Sequence, residues 1–80
     1  MRDRPILLAE LDLPGVPLTV IAWFARVGEK VMEGDRLLEI LAGEASIEID
    51  SPATGILAEK RVDVDDCVQV GQVLGMVRER

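Results

Sequence analysis

The side chains that most often carry out catalysis are scarce in this chain. It has no histidine, which removes the usual general base at neutral pH and the commonest metal ligand. Its single cysteine, Cys67, follows two aspartates, whereas reactive cysteines lie in electropositive surroundings. We therefore interpret Cys67 as an inert thiol and predict no catalytic residue, so that the chain is not itself an enzyme.

Three neighbouring carboxylates and one tryptophan are the remaining candidates for a site. Asp63, Asp65 and Asp66 could suggest calcium, but the segment lacks the glycine and the closing glutamate of an EF-hand loop. We interpret it as a solvated turn and predict no metal site. Trp23 could be a binding aromatic, but a buried or half-buried strand residue is the better interpretation.

Length, charge and hydropathy limit the function further. Eighty residues make one domain, residues 1–80. The net charge of −6 argues against nucleic acid, because phosphate binding needs clustered Lys and Arg, and the nine basic residues are scattered among fifteen acidic ones. The longest early apolar run, residues 6–9, is far too short for a signal peptide or a membrane span. We expect a cytoplasmic protein without a membrane segment.

Short apolar runs between closely spaced turn signals predict an all-β fold. Gly, Pro and Asp clusters recur about every 8–12 residues, which is typical of a sandwich or barrel. Residues 47–50 alternate between isoleucine and acid, as a half-buried strand does. The residues with this alternation that we expect to be mostly buried are Ile40, Ile47, Ile49, Val62, Val64, Leu74 and Val77.

The chain also repeats itself at a shift of 37 positions. The matched pairs are Val27 with Val64, Val31 with Val68, Gly34 with Gly71, Leu37 with Leu74, and Ile40 with Val77. The repeat predicts two similar halves related by a pseudo-twofold axis, with the two glycines in equivalent turns that need a positive φ. Chance matching between two β-rich halves is the alternative.

Ordered segments of the chain resemble a known domain family. Residues 23–31 (WFARVGEKV), 33–40 (EGDRLLEI), 46–55 (SIEIDSPATG) and 64–77 are similar to successive parts of lipoyl domains from 2-oxo acid dehydrogenase acyltransferases, within the biotinyl/lipoyl family. The resemblance covers about residues 5–78. It implies a flattened barrel or sandwich of two four-stranded antiparallel sheets, with a modification turn at the tip of a hairpin.

The resemblance also implies which residue should carry a cofactor. The family's hairpin tip reads Asp-Lys-Ala in lipoyl domains and Met-Lys-Met in biotinyl domains, and its lysine forms an amide with lipoate or biotin. Here Gly43, Glu44 and Ala45 occupy these three positions. A carboxylate cannot form that amide, so Glu44 is expected to stay unmodified and no cofactor is expected.

The other lysines do not replace the missing one. Lys30 is expected in a loop before Val31, and Lys60 lies in a predicted strand without a tight turn around it. Glu44 itself has two interpretations. It is either an ordinary turn residue that has lost the carrier role, or part of an acidic tip, with Glu39 and Glu48, that docks a partner.

These observations leave three hypotheses. The leading one is an unmodified, carrier-like interaction module tied to an acyl-transfer complex. Its partners would be proteins of such a complex, or of a carboxylase complex, or a lipoate or biotin ligase. The second is a true lipoyl or biotinyl carrier whose natural lysine has been replaced in this sequence. The third, a half-motif of an efflux membrane-fusion protein, is weak because no helical hairpin separates the halves.

Overall fold

The computed structural model of the protein describes residues 2–9 and 15–79. These residues form seven β-strands and no helix, so the predicted all-β class is confirmed and none of the described segments is a helix that could cross a membrane. The strands are β1 (Arg2–Leu7), β2 (Leu18–Trp23), β3 (Lys30–Val31), β4 (Arg36–Ala42), β5 (Ala45–Asp50), β6 (Gly55–Lys60) and β7 (Val73–Glu79).

The strands form two antiparallel sheets that do not close into a barrel. One sheet has the order β1-β7-β6-β3, and the other has the order β2-β4-β5. The prediction of two four-stranded sheets is therefore wrong for the second sheet. Where its fourth strand was expected, a single bridge pairs Thr19 with Cys67, and the Val68 N–H bonds to the Leu18 carbonyl at 2.9 Å. This segment runs beside β2, but its pairing is too short to make a strand.

Aliphatic side chains fill the space between the sheets. The buried hydrophobic residues are Ile6, Leu8, Leu18, Val20, Ala25, Val31, Leu37, Leu38, Ile40, Ala42, Ala53, Leu57, Val62, Val68, Leu74 and Val77. Such branched side chains pack closely on pleated surfaces. Trp23 is half-buried, as expected for a strand residue, and its indole N–H donates to the Val62 carbonyl at 3.0 Å.

Four of the seven predicted core residues are confirmed as buried: Ile40, Val62, Leu74 and Val77. Ile47 and Ile49 are only partly buried, because β5 lies at the edge of its sheet. The prediction for Val64 is wrong, since its side chain is 49% exposed. Val64 lies in a turn just before Asp65 rather than in a strand. Its alternation with polar residues therefore does not direct its side chain toward the core.

The predicted pseudo-twofold relation between the halves is confirmed in the turns. Gly34 and Gly71 have φ angles of 92° and 85°, a region that glycine enters without the cost paid by other residues. The Gly34 N–H bonds to the Ser51 carbonyl at 3.0 Å, and the Gly71 N–H bonds to the Leu8 carbonyl at 2.8 Å. The two glycines are thus equivalent, as predicted: each has a positive φ in a turn, and each donates its N–H to a distant backbone carbonyl.

The same relation extends along the backbone at the 37-residue shift. Three pairs of backbone hydrogen bonds are equivalent under this shift. The bond from Gly28 N–H to Leu57 O corresponds to that from Asp65 N–H to Val20 O, and the bond from Leu57 N–H to Glu29 O corresponds to that from Val20 N–H to Asp66 O. The bond from Phe24 N–H to Leu37 O corresponds to that from Arg61 N–H to Leu74 O. Val31 and Val68, the matched valines, are 2% and 5% exposed. Chance matching does not produce this agreement, so the repeat is structural.

The molecule measures 37 × 19 × 18 Å, and the strand pairing shows where the hairpin turn between β4 and β5 lies relative to Arg2 and Glu79. Beside the turn, Ala42 pairs with Leu18, whose carbonyl binds the Val68 N–H. The chain then leads from Val68 into the start of β7. Arg2 and Glu79 pair with each other at the other end of β7, so they lie at the far end of the molecule from the hairpin turn.

The two equivalent glycine turns should contribute unequally to stability. Asp35 Oδ2 accepts the Met32 N–H at 2.9 Å, and Gln72 Oε1 accepts the Gln69 N–H at 2.9 Å. We expect Gln72→Ala to lower the free energy of unfolding by about 0.5–1.5 kcal/mol, and Asp35→Ala to lower it more, because a carboxylate is the stronger acceptor. Urea denaturation measures both, with Asp35→Asn as the control that keeps an acceptor. A larger loss for Gln72→Ala would contradict this.

Two isoleucines of the β4–β5 hairpin should contribute unequally to stability, because they are buried to different extents. We expect Ile40→Ala to lower the free energy of unfolding by about 2–5 kcal/mol, because Ile40 is fully buried. Ile49→Ala should cost clearly less, since Ile49 already exposes part of its surface to water. Chemical denaturation of the two variants side by side checks the difference. Equal losses would mean that β5 is covered more fully than its place in the sheet indicates.

Candidate functional site

The candidate site is the two-residue turn between β4 and β5. Ala42 pairs directly with Ala45, which leaves Gly43 and Glu44 as the two residues of the turn. Gly43, Glu44 and Ala45 are all exposed. The structure thus places the three residues singled out in the sequence at the solvent-facing tip of a hairpin. Their role in cofactor attachment stays a prediction.

The backbone of the turn needs its glycine. Gly43 has a φ of 64°, whereas Asp65 is the one non-glycine residue with positive φ among residues 2–9 and 15–79, so φ of Glu44 is not positive. A positive φ at the first turn residue only is the pattern of a type II′ turn, which matches the twist of the strands it joins. The tip is therefore a regular, well-specified hairpin turn.

A segment from outside the hairpin supports the turn. The Gly43 N–H donates to the Pro17 carbonyl at 3.3 Å. A Cβ added to Gly43 would lie 3.5 Å from Cγ1 of Val16, an ordinary contact. A residue other than glycine at position 43 would thus be disfavoured by the positive φ angle and not by a lack of space. Nothing in the local pattern around Val16 and Pro17 pointed to this contact, because it joins residues far apart in the sequence.

Glu44 has no close partner in the described part of the chain. Its carboxylate takes part in none of the hydrogen bonds or ion pairs formed there. A longer or differently charged side chain at this position would also extend into solvent. The site therefore presents the end of residue 44 to any molecule that approaches the tip.

The interpretation of an acidic tip formed by Glu44 with Glu39 and Glu48 is not supported by the geometry. Glu39 and Glu48 are paired with each other across β4 and β5. They lie about 13 Å back from the turn, given the rise of about 3.3 Å per residue in a strand. Glu48 Oε2 accepts a hydrogen bond from Arg36 Nη1 at 2.6 Å. That hydrogen bond, together with the charge of Glu48, raises the pKa of Arg36.

Neither lysine occupies a turn like that of Glu44. Lys30 belongs to β3, paired with Ile56, so its predicted place in a loop is wrong. It is the short β3 pairing, not visible in the sequence, that makes it a strand residue. Lys60 ends β6, and its Nζ lies 4.9 Å from the centre of the Trp23 ring. A cation in that position interacts with the face of the indole.

The other sequence candidates form no site among the residues described. Within residues 2–9 and 15–79, no group of His, Cys, Asp and Glu side chains has the arrangement of a metal site. Asp66 Oδ2 accepts the Asp63 N–H at 2.8 Å, so this carboxylate closes a turn. Cys67 is exposed beside β2.

Comparison with known proteins identifies a family and several relatives that this chain resembles. The family model described as "Biotin-requiring enzyme" matches residues 13–77. The dihydrolipoyllysine-residue succinyltransferase component of the 2-oxoglutarate dehydrogenase complex of Bacillus subtilis is 33% identical over 61 residues, which is 76% of this chain and 15% of that protein. The acetyltransferase component of the pyruvate dehydrogenase complex of Mycobacterium bovis is 32% identical over 74 residues, 92% of this chain and 13% of that protein.

A more distant relative is, by its name, an acetyltransferase component of a third system. The acetyltransferase component of the acetoin cleaving system of Pseudomonas putida is 28% identical over 60 residues, 75% of this chain and 16% of that protein. The chain thus spans less than a fifth of the length of these relatives. Because the family model covers most of its residues and the strands form two facing antiparallel sheets, the chain belongs to the biotin/lipoyl family.

Proposed function

We propose that this chain is a lipoyl-type domain without the attachment lysine, acting as an unmodified, carrier-like interaction module of an acyl-transfer complex of the 2-oxo acid dehydrogenase type. The observation that carries the proposal is Glu44, exposed in the second position of the two-residue turn between β4 and β5. A family member that served as a carrier would need an amine at this point.

The chemistry of position 44 is the first support. Lipoate or biotin is joined to a protein through an amide, which forms when an amine nitrogen attacks an activated carboxyl group. Glu44 offers a carboxylate in place of the amine. Lys30 and Lys60 lie in strands β3 and β6, and neither is a residue of a two-residue turn. A ligase that acts on a hairpin tip therefore has no amine to modify.

The intact turn is the second support. The turn has a type II′ pattern, a hydrogen bond to Pro17 and an exposed position. Loss of one side-chain amine thus leaves the surface around the tip in place. Such a domain would still be recognised by proteins that bind the fold, and the partners we propose are proteins of an acyl-transfer complex. A non-catalytic role and a cytoplasmic location remain predictions from the sequence.

Restoring the amine is the direct test. We expect the unaltered protein to gain no mass when incubated with a lipoate ligase or a biotin ligase. Glu44→Lys should gain the mass of one cofactor, visible by intact mass spectrometry. Glu44→Arg is the matched control, because it restores the positive charge and length without an amine that the ligase can acylate. Gly43→Asp combined with Glu44→Lys tests whether the first turn residue also takes part in recognition.

Two results would count against the proposal. Cofactor on Lys30 or Lys60 of the unaltered protein would show that Glu44 does not disable the domain. If neither lysine variant is modified while both remain folded, the turn does not preserve a surface that these ligases recognise. A gene that encodes lysine at position 44 would instead favour a true carrier, altered only in this sequence.

A further inference from the structure

The four sheet edges of the described structure differ in how well they are protected. In the first sheet, β3 is only two residues long and β1 contains Pro5, which has no N–H to offer. In the second sheet, the segment around Cys67 lies beside β2. The remaining edge is β5, which is six residues long and has no proline. Among the described residues, β5 is therefore the strand most open to a new neighbour.

The backbone of β5 offers a regular row of free groups. A two-residue turn makes Ala42 and Ala45 a hydrogen-bonded pair, so alternate residues of β5 bond to β4. Ser46 and Glu48 fall between them and direct their N–H and C=O groups away from β4. No backbone group of the described residues outside β4 bonds to either one. Such a row is a template for pairing with another chain.

The side chains beside this edge are incompletely covered. Ile47 and Ile49 face the core but are only partly buried. Ile6, on the equivalent edge strand β1, is 1% exposed. Apolar surface on the inner side of β5 therefore remains in contact with water, and an added strand with apolar side chains on that face would cover it.

The charge of the hairpin determines which occupant fits. Residues 33–50 contain six acidic residues and one basic residue, a net charge of −5 within a chain of −6. Glu39 is paired directly with Glu48 on the outer face, where like charges destabilise each other, and Asp50 lies further along β5. Arg36, bonded to Glu48, is the one basic side chain among these acidic residues. A second copy of the chain would bring more negative charge to this edge. A basic segment would relieve the repulsion.

We propose that the β5 edge binds an extended segment of a partner protein by strand addition, with alternating basic and apolar residues in that segment. Its basic side chains lie on the outer face beside Glu48 and Asp50, and its apolar side chains lie on the inner face beside Ile47 and Ile49. Main-chain hydrogen bonds to Ser46 and Glu48 supply affinity, and the alternation supplies specificity. The interaction does not depend on residue 44, so it stands apart from the proposed function.

The test uses a peptide of the predicted pattern. Acetyl-Lys-Val-Lys-Val-Lys-Val-amide is titrated into isotope-labelled protein, and amide chemical shifts and hydrogen exchange are followed by NMR. We expect the amides of Ser46 and Glu48 to shift and to exchange more slowly. A peptide with Glu in place of every Lys is the matched control. It should bind at least about tenfold more weakly, which corresponds to a loss of roughly 1.4 kcal/mol in binding free energy.

Two variants at position 48 distinguish the contribution of backbone hydrogen bonding to peptide binding from that of charge. Glu48→Pro removes an outward N–H without removing a bond to β4, and proline is tolerated on sheet edges. It should abolish binding. Glu48→Gln keeps the N–H and should weaken binding severalfold while reducing its dependence on salt. The NMR spectrum shows whether each variant is folded, and Ser46→Pro replaces Glu48→Pro if that variant is not.

Each other outcome overturns the proposal. These outcomes are the absence of binding, equal binding of the acidic peptide, binding that leaves the amides of Ser46 and Glu48 unprotected, and full binding by a folded proline variant. Protection of the same amides without peptide, together with a dimer in sedimentation, would show that a second copy occupies the edge instead.

Discussion

Exchange of short segments between the two halves holds this domain together. One half consists mainly of β2, β4 and β5, and the other mainly of β1, β6 and β7. The first half provides β3, which pairs with β6 of the second half. The second half provides the segment at Cys67 and Val68, which pairs with β2 of the first half. Neither sheet is therefore made by one half alone. Each half needs the other to complete its hydrogen bonding, and unpaired buried backbone groups are costly.

This exchange explains why a small chain with almost no aromatic residues can hold two sheets face to face. The core consists of aliphatic side chains from both halves, and the connecting segments fix the spacing between the sheets. Asp65 shows how strictly the geometry is kept, because it adopts a φ of 77° at the position equivalent to Gly28, whose φ is 94°. Aspartate tolerates this region better than most residues, which makes the substitution possible.

The strands with clear alternation and the repeat could be predicted from the sequence, because the two-residue period and the 37-residue shift are both visible in the order of residue types. Ile40 and Val77 were predicted as buried on that basis, and they are. Val64 has the same local pattern but lies in a turn, and Ile49 has it at a sheet edge. Whether a strand is central, at an edge or absent depends on partners distant in the chain. The position of Gly43 and Glu44 was predicted through the family resemblance, whereas the contact with Pro17 was not predictable.

The pairing of Arg2 with Glu79 has a consequence for how the domain can be presented. Both residues lie at the end of the molecule opposite the hairpin turn, and the long dimension is 37 Å. A surface, bead or tether joined beside either residue would attach at the end away from Gly43 and Glu44 and would not cover them. Immobilisation through that end thus leaves both the turn and the length of β5 accessible to soluble molecules, whatever residue occupies position 44.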